Sequence, residues 1–488
     1  MKLLREILQH YDTVKVTGSL DIPVEGISIN SSKVRSGDLF AAVKGTRVDG
    51  HDFIPQAIKY GASAVLCERI PNNLESKITL VQVKNVSLAL GHIASAFFDK
   101  PSSQIRLIGI TGTNGKTSIA TFLYRIYEEL GYPAGLISTI STRIHKNSID
   151  ATHTTPDVIK INELLDQMVK AGCIDVFMEV SSHGIDQERI AGLVYKGAVF
   201  TNLTHDHLDY HKTFDNYLKT KKKFFDSLTE DSFALINVDD KNGKVMVQNT
   251  RANTFSYGIK QIADFNAKVI ERTLEGTLIR INNSEIWIPF IGDFNIYNLL
   301  AAYATAVTGG MKSEEVLTVI SKMKPVPGRF EAVRSANGKI AIIDYAHTPD
   351  AIKNVLQSIQ QIRKTHSKII TVIGAGGDRD KDKRPIMAKI GAEKSDKLIL
   401  TSDNPRSEPP QDIIKEMEAG VPLEMQKKVL SIVDRKEAIK AACMMAERFD
   451  IILIAGKGHE TYQEIEGKRH HFDDREIVRK VFTQMEAE

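Results

Sequence analysis

Apolar residues along this chain fall into short solid runs, each followed by a polar or glycine-rich turn and then by a stretch with helical spacing. Runs at 39–43, 64–66 and 78–81 read as strands of a small mixed domain, with a helix over 87–98. Lys100, Pro101, Ser102 and Ser103 mark a boundary. Beyond it the run 106–110 leads through a glycine turn into a long helical pattern over 116–130. Buried-strand patterns follow at 175–180 and 197–202, and strand-like alternation over 254–291 predicts an antiparallel edge. Two prolines and a glycine within 324–328 suggest a linker. The strand–loop–helix rhythm then resumes, with strands at 339–344, 368–374, 397–402 and 450–456. Strands alternating with helices predict an α/β fold whose parallel sheets are covered by helices on both faces. The expected domains are 1–100, small and mixed α/β; 101–326, a P-loop ATPase-like, mostly parallel sheet; and 327–488, a Rossmann-like, doubly wound sheet.

Composition narrows the class. The chain has 488 residues, which fits about three domains. Lys+Arg 64 against Asp+Glu 61 leaves +3, so neither nucleic acid nor an anionic membrane is expected as the main partner. Three scattered cysteines, Cys67, Cys173 and Cys443, show no metal spacing and suit a reducing cytoplasm. Charge interrupts the first ten residues, and no apolar run approaches a membrane span. A soluble cytoplasmic protein is expected.

The strongest local chemistry is TGTNGKTS at 111–118, between a strand and a helix. Gly112 and Gly115 let the backbone curl around Thr113 and Asn114 so that the loop's N–H groups face phosphate oxygens, and the helix N-terminus at Lys116, Thr117 and Ser118 adds positive potential. Lys116 is expected to reach the outer phosphates and the Thr117 hydroxyl to face Mg²⁺. Ile110 stands where the usual motif has its first glycine, so this is a shortened variant.

Five of 14 histidines lie between His153 and His211. Glu179 ends one predicted strand, and His205, Asp206, His207, Asp209 and His211 follow another. Ligands of open α/β sheets bind beyond the carboxyl ends of strands, so these residues and the phosphate loop should share one crevice. A hard cation held by few protein ligands plus substrate phosphates fits Mg²⁺; zinc is disfavoured because no cysteine joins the cluster. In the run 219–223, Lys219, Lys222 and Lys223 read as surface. Lys221 does not: Phe214, Tyr217, Leu218, Phe224 and Phe225 form a helical stripe whose missing member is Lys221. A lysine there must snorkel, reach an anion, lose its proton or be modified.

These motifs, with THTTPD at 152–157, MEVSSHG at 178–184, TNLTHDHLDYH at 201–211, GDFNIYN at 292–298, PGRFE at 327–331, DYAHTPD at 344–350, GAGGDRDKDKRP at 374–385, DNPR at 403–406 and AGKGHE at 455–460, resemble the Mur ligase family, most closely its MurE type. The resemblance covers essentially the whole chain. It implies ATP-dependent addition of meso-2,6-diaminopimelate to the D-Glu of UDP-N-acetylmuramoyl-L-alanyl-D-glutamate through an acyl phosphate, in peptidoglycan synthesis, by a cytoplasmic monomer. The three domains would bind the uridine nucleotide, ATP and the amino acid in turn.

Residue by residue, the resemblance implies Lys116, Glu179, His207 and Lys221 as catalytic residues. Magnesium would be held by Thr117, Glu179, His207 and a carbamylated Lys221. ATP would contact Gly112 to Ser118, Asn295, Asn298, Arg329, Asp344 and His347. The nucleotide-sugar peptide would contact Ser31, Thr46, Arg47, Val48, His153, Thr154, Thr155, Ser181, Gln187 and Arg189. Two departures are Asn30-Ser31-Ser32, where relatives commonly have Asp-Ser-Arg, and His153, where Asn is frequent. Diaminopimelate would contact Arg379, Asp403, Asn404, Pro405, Arg406, Gly456 and Glu460. Chemistry agrees, since the arginine fork of Arg406 can grip a second carboxylate that lysine lacks. Three alternatives stay open: a lysine-adding ligase, a folylpolyglutamate synthase sharing the phosphate loop, and a nucleotide-binding switch without ligase chemistry.

Overall fold

A computed structural model describes residues 1–488 except 10, 46–47, 72–77, 152 and 488. Three separate sheets account for most of the strands. The N-terminal sheet has the order Lys15–Thr17, Thr79–Gln82, Ala64–Cys67, Asp38–Ala41, Gly26–Ser28, parallel except at its first edge. Helix Val86–Phe97 starts where the Asn85 side chain accepts from the Leu88 amide. Its apolar face, including Val86, Ala89, Leu90 and Ile93, packs onto this sheet.

The same helix also holds the domain against the middle one. Gly91 backs onto the loop of Ala191 and Gly192 so closely that a Cβ there would strike the Ala191 carbonyl oxygen. A β-branched side chain must therefore push the two domains apart. Gly91→Val is expected to cost about 2 kcal/mol, read as a lower urea midpoint at unchanged slope.

The middle sheet has eleven strands. Seven of them run in the spatial order Ala134–Ile137, Asp175–Glu179, Arg106–Thr111, Gly197–Phe200, Phe233–Asn237, Asn253–Gly258, Phe265–Arg272, all parallel. Ile108, Phe177 and Val199 turn to one face, under helices Lys116–Glu129 and Asp293–Thr308. Leu107, Val176, Met178 and Phe200 turn to the other, under Val158–Lys170 and Phe214–Asp226. This is the period-two division that a doubly covered strand requires. The antiparallel edge expected over 254–291 is only partly correct. Asn253–Gly258 continues the parallel sheet, and Phe265–Arg272 joins it in parallel before pairing antiparallel with Thr277–Ile281. Alternation reports a half-covered face and carries no information on strand direction.

The third sheet has the order Glu331–Arg334, Ile340–Asp344, Ile451–Ala455, Ile369–Ala375, Lys397–Ser402, Val429–Ser431. All neighbours are parallel except the first pair. Helices Pro349–Ile362, Lys383–Lys394 and Pro410–Glu418 cover one face, and Arg435–Met445 with Asp474–Ala487 the other. The edge strands Glu331–Arg334 and Val429–Ser431 and the hairpin Tyr462–Ile465 with Lys468–His471 lack a strong apolar signal and were not legible in the pattern. None of the helices among the described residues is long and apolar enough to cross a membrane.

Candidate active site

In the middle sheet the chain moves to opposite sides of the strand Arg106–Thr111, which puts a topological switch point at that strand's carboxyl end. The phosphate loop starts there. Gly115 sits at φ +92 and begins helix Lys116–Glu129 without any side-chain cap, so the first helical amides remain available to an anion. The neighbouring strand end braces the loop: the Thr113 amide donates to the Asn202 carbonyl at 2.8 Å, and Thr201 Oγ1 donates to the Asn114 carbonyl at 2.6 Å. Lys116 Nζ folds back onto the carbonyls of Gly112 at 2.9 Å and Thr113 at 2.8 Å.

Glu179, fully buried at its strand end, accepts from Thr117 Oγ1 at 3.0 Å and from the Thr139 amide at 2.7 Å. Lys221 arrives from helix Phe214–Asp226 and is 1% exposed. Its Nζ donates to the Gly112 carbonyl at 3.0 Å and to Thr111 Oγ1 at 3.2 Å, over the ring of Tyr217. Lys116 and Lys221 thus share one acceptor, and their nitrogens lie no farther apart than the sum of their two distances to it. Two ammonium groups in that space repel, and no carboxylate pairs with Lys221 among the described residues. Desolvation first, and then Lys116, pull the Lys221 pKa well below the ordinary lysine value. Of its three neighbours in the run, Lys219 and Lys223 are exposed as expected. Lys222 is not: its stem is largely covered and it pairs with Asp226 at 2.6 Å.

His207 caps the short helix Leu208–His211 at φ +56 and packs against His183 and Tyr217, one turn before Lys221. Its Nε2 faces Asp206 at 3.4 Å. Desolvation pushes its pKa down to about 3 despite Asp206, leaving the neutral imidazole that can ligate a metal. The remaining histidines separate. His211 is buried beneath His183 and Tyr217, His205 turns to Asp380, in the loop after Ile369–Ala375 of the third domain, at 3.4 Å, and His153 is exposed. Among the described residues, His, Cys, Asp and Glu nowhere gather three potential metal ligands. Glu179 and the Thr117 hydroxyl are the hard oxygen donors that magnesium prefers. The donor set fits that ion if Lys221 exchanges its positive charge for a carbamate.

A cavity of about 400 Å³ opens between the middle and third sheets, beside the loop. Asn114, Gly115, Ser118, Asn298, Arg329, Asp344 and His347 line it. Arg329 crosses from the third domain, its guanidinium 4.4 Å from the Tyr345 ring and Nη2 donating to Thr117 Oγ1 at 3.3 Å. Asp344 accepts the Phe330 and Ala346 amides, both at 2.7 Å; burial raises its pKa against the pull of Arg329. Burial also holds His347 neutral, its pKa lowered to about 4. Asn295 does not join them. Its amide turns back to the Ile291 carbonyl at 2.8 Å and the residue lines a different cavity under the linker, although it stands only one turn before Asn298 on helix Asp293–Thr308. Asp239, which no motif singles out, shapes the far wall by accepting from the amides of Ile259, Lys260 and Gln261 and from the Tyr297 hydroxyl. An aspartate in a polar turn looks like any other; only the returning loop distinguishes it.

The residues expected around the nucleotide sugar divide in two. Thr155 Oγ1 donates to the Glu179 carbonyl at 2.9 Å and accepts from the Ser181 amide, Arg189 Nη1 donates to the Thr155 carbonyl at 2.8 Å, and Gln187 Oε1 accepts from Arg189. Thr154 meets Thr139 at 3.0 Å, so all five form one polar edge beside Glu179. Ser31 stays on the N-terminal domain, donating to Gln56 at 2.8 Å, and Val48 there is 61% exposed. Thr46 and Arg47 lie outside the described residues.

At the carboxyl ends of the third sheet, the 403–406 segment closes over the loop that follows Ile369–Ala375. Arg406, at φ +53, donates from Nη1 to the Gly377 carbonyl at 2.7 Å. Asn404 Nδ2 donates to Glu460 Oε2 at 2.8 Å, Gly456 lies against the Asp403 carboxylate, and the Pro405 carbonyl faces Gly377. Arg379 is exposed nearby and donates to the Asp378 carbonyl. Sequence reasoning missed what fastens this pocket: the fully buried pair Arg435–Asp474, whose guanidinium also donates to the Ala455 carbonyl, and Arg384, held by Glu408 and Glu416. Such pairs lie far apart in sequence and leave no local signal.

A variant phosphate loop at the switch point of one sheet, facing an arginine- and glutamate-bearing pocket on a second, defines a nucleotide-dependent ligase architecture, and the chain belongs to the Mur ligase family. Three family models match in order: "Mur ligase family, catalytic domain" over 23–98, "Mur ligase middle domain" over 110–306 and "Mur ligase, glutamate ligase domain" over 328–458. The chain is similar to the UDP-N-acetylmuramoyl-L-alanyl-D-glutamate--2,6-diaminopimelate ligase of Bacteroides fragilis, 54% identical over 98% of this chain and 99% of that one. The protein of the same name from Bacillus cereus is 41% identical over 94% of each chain. A solved structure also bearing that name superposes with a TM-score of 0.69 at 30% identity, covering 99% of both chains. MurF ligase of Thermotoga maritima in complex with ADP shares the fold, with a TM-score of 0.63 at 20% identity over 94% of this chain and 97% of that one.

Proposed function

We propose that this chain is the ATP-dependent ligase that joins meso-2,6-diaminopimelate to the D-Glu of UDP-N-acetylmuramoyl-L-alanyl-D-glutamate. The observation that carries this reading is the likeness, end to end, to relatives bearing that name. In the reaction the D-Glu carboxylate attacks the γ-phosphorus of ATP, ADP leaves, and an acyl phosphate forms. The amine of diaminopimelate then attacks the acyl carbon, phosphate departs with the C–O bond electrons, and the amine gives up a proton. Both steps bring anions or lone pairs together, so the protein must screen charge and fix orientation.

The uncapped amides at the start of helix Lys116–Glu129 and Lys116 itself hold the phosphates, and Arg329 reaches Thr117 from the third domain so that both domains grip one nucleotide. Glu179, Thr117, His207 and a carbamylated Lys221 are the residues that would hold magnesium, which when bound neutralises charge at the transferring phosphate. The neutral amine of Lys221 attacks the carbon of CO₂ and releases a proton, turning a buried cation into an oxygen ligand. The Thr154, Thr155, Ser181, Gln187 and Arg189 edge takes the muramoyl peptide, with the uridine end on the N-terminal domain around Ser31 and Val48. Arg406 receives the second carboxylate of diaminopimelate and Glu460 its distal ammonium. In this reading the partners are small molecules and the chain works as a cytoplasmic monomer.

An amino-acid panel tests the assignment. ADP release in the presence of the nucleotide dipeptide should be at least about 10²-fold more efficient with meso-diaminopimelate than with L-lysine, because lysine brings no second carboxylate to Arg406 Nη2. Stronger turnover with lysine defeats the assignment.

A further inference from the structure

Lys457 takes no part in the contacts so far assigned to substrates, yet its side chain is completely buried behind the amino-acid pocket. Its Nζ donates to Asn404 Oδ1 at 3.0 Å and to Glu460 Oε2 at 3.1 Å, and it lies over the Tyr462 ring. Asn404 Oδ1 also accepts the Glu464 amide at 2.9 Å, so the carboxamide has both its oxygen contacts on that side and must present Nδ2 to Glu460. Glu460 Oε2 is therefore saturated by Lys457 and Asn404. Oε1 makes no hydrogen bond among the described residues.

Charge points the same way. Asp403 and Glu460 bring two negative charges into this pocket, and Lys457 returns one. Arg435, the other buried cation beneath it, is already matched by Asp474. Arg406, across the pocket, faces Glu464 at 3.6 Å, so the Asp403 and Glu460 side is left one positive charge short, and a buried unpaired carboxylate is costly until a cation arrives.

We propose that Lys457 is a positioning residue for the incoming amino acid: by tying Asn404 Oδ1 and Glu460 Oε2 together, it leaves Glu460 Oε1 as the oxygen that receives the substrate's ammonium group. This rests on the reading of the pocket as the diaminopimelate site. Lys457 also limits the excess negative charge to one, which selects an ammonium-bearing end, and it opposes the burial and the Asp403 charge that raise the Glu460 pKa.

The test measures steady-state kinetics of the full-length enzyme with Lys457→Met, Glu460→Gln and the double variant. Lys457→Met should raise the KM for diaminopimelate about 30-fold or more while the KM for ATP stays within about twofold. The double variant should be no worse than Glu460→Gln by more than about twofold, since Lys457 acts through a carboxylate that is already gone. An unchanged KM for diaminopimelate in Lys457→Met, with a raised one in Glu460→Gln, overturns the role of Lys457 and leaves the pocket assignment standing. Multiplying effects in the double variant also overturn it, because a residue that merely supports the fold acts independently of Glu460. No effect in Glu460→Gln removes the pocket assignment itself, and the inference with it. If the methionine variant does not fold, Lys457→Gln carries the same KM criterion.

Discussion

Lys221→Ala is expected to lower kcat by about 10³-fold or more, with added bicarbonate restoring nothing and short-chain carboxylic acids restoring part of the loss. Geometry gives the reasoning. The lysine is 1% exposed, shares the Gly112 carbonyl with Lys116 and has no carboxylate partner among the described residues. A buried cation placed beside another cation is an expensive arrangement unless its charge is removed. Carbamylation removes it and supplies two oxygens where the phosphate-transfer site needs them. Alanine leaves a gap in the same wall and no amine for CO₂ to react with, so bicarbonate is powerless, while acetate or propionate can lodge a carboxylate there. Turnover with and without each additive checks this, and isotopically labelled CO₂ followed by NMR should report a bound carbamate in the unsubstituted enzyme alone. Full activity in Lys221→Ala would remove the carbamate from the mechanism.

Arg406→Ala should raise the KM for diaminopimelate by about 10²-fold and change the KM for ATP little. The guanidinium is already oriented: the Arg406 amide donates to the Glu464 carbonyl, its carbonyl accepts the Glu466 amide, and Nη1 is fastened to Gly377. Nε faces Glu464 Oε2 at 3.6 Å, and Nη2 makes no hydrogen bond among the described residues, so Nη2 is the oriented donor left for an incoming carboxylate. Lysine at this position restores charge without the fork and should recover only part of the loss. Arg406 itself holds the φ +53 backbone, so alanine adds no strain that arginine lacked and the comparison reads the side chain. An effect confined to ATP would take Arg406 out of the amino-acid site.

The sequence by itself determined the chemistry of each part. Solid apolar runs ending in polar residues marked the parallel strands and the tips where ligands gather, since a strand covered on both faces must be apolar throughout and its end is where polarity can resume. A glycine-rich turn between strand and helix marked the phosphate loop, and one lysine breaking an apolar stripe marked Lys221, because helical periodicity is a local property. Tertiary structure decided everything that depends on partners distant in the chain. It turned Asn295 away from the cavity beside the 111–118 loop, covered the stem of Lys222, separated His205 from His207, and built the support of the 403–406 pocket from Lys457, Arg435, Asp474 and Arg384. Which way a side chain at the start of a helix turns, and which buried charge finds a counter-charge tens of residues away, follows from packing and desolvation of the assembled domains, and no short window of sequence contains that information.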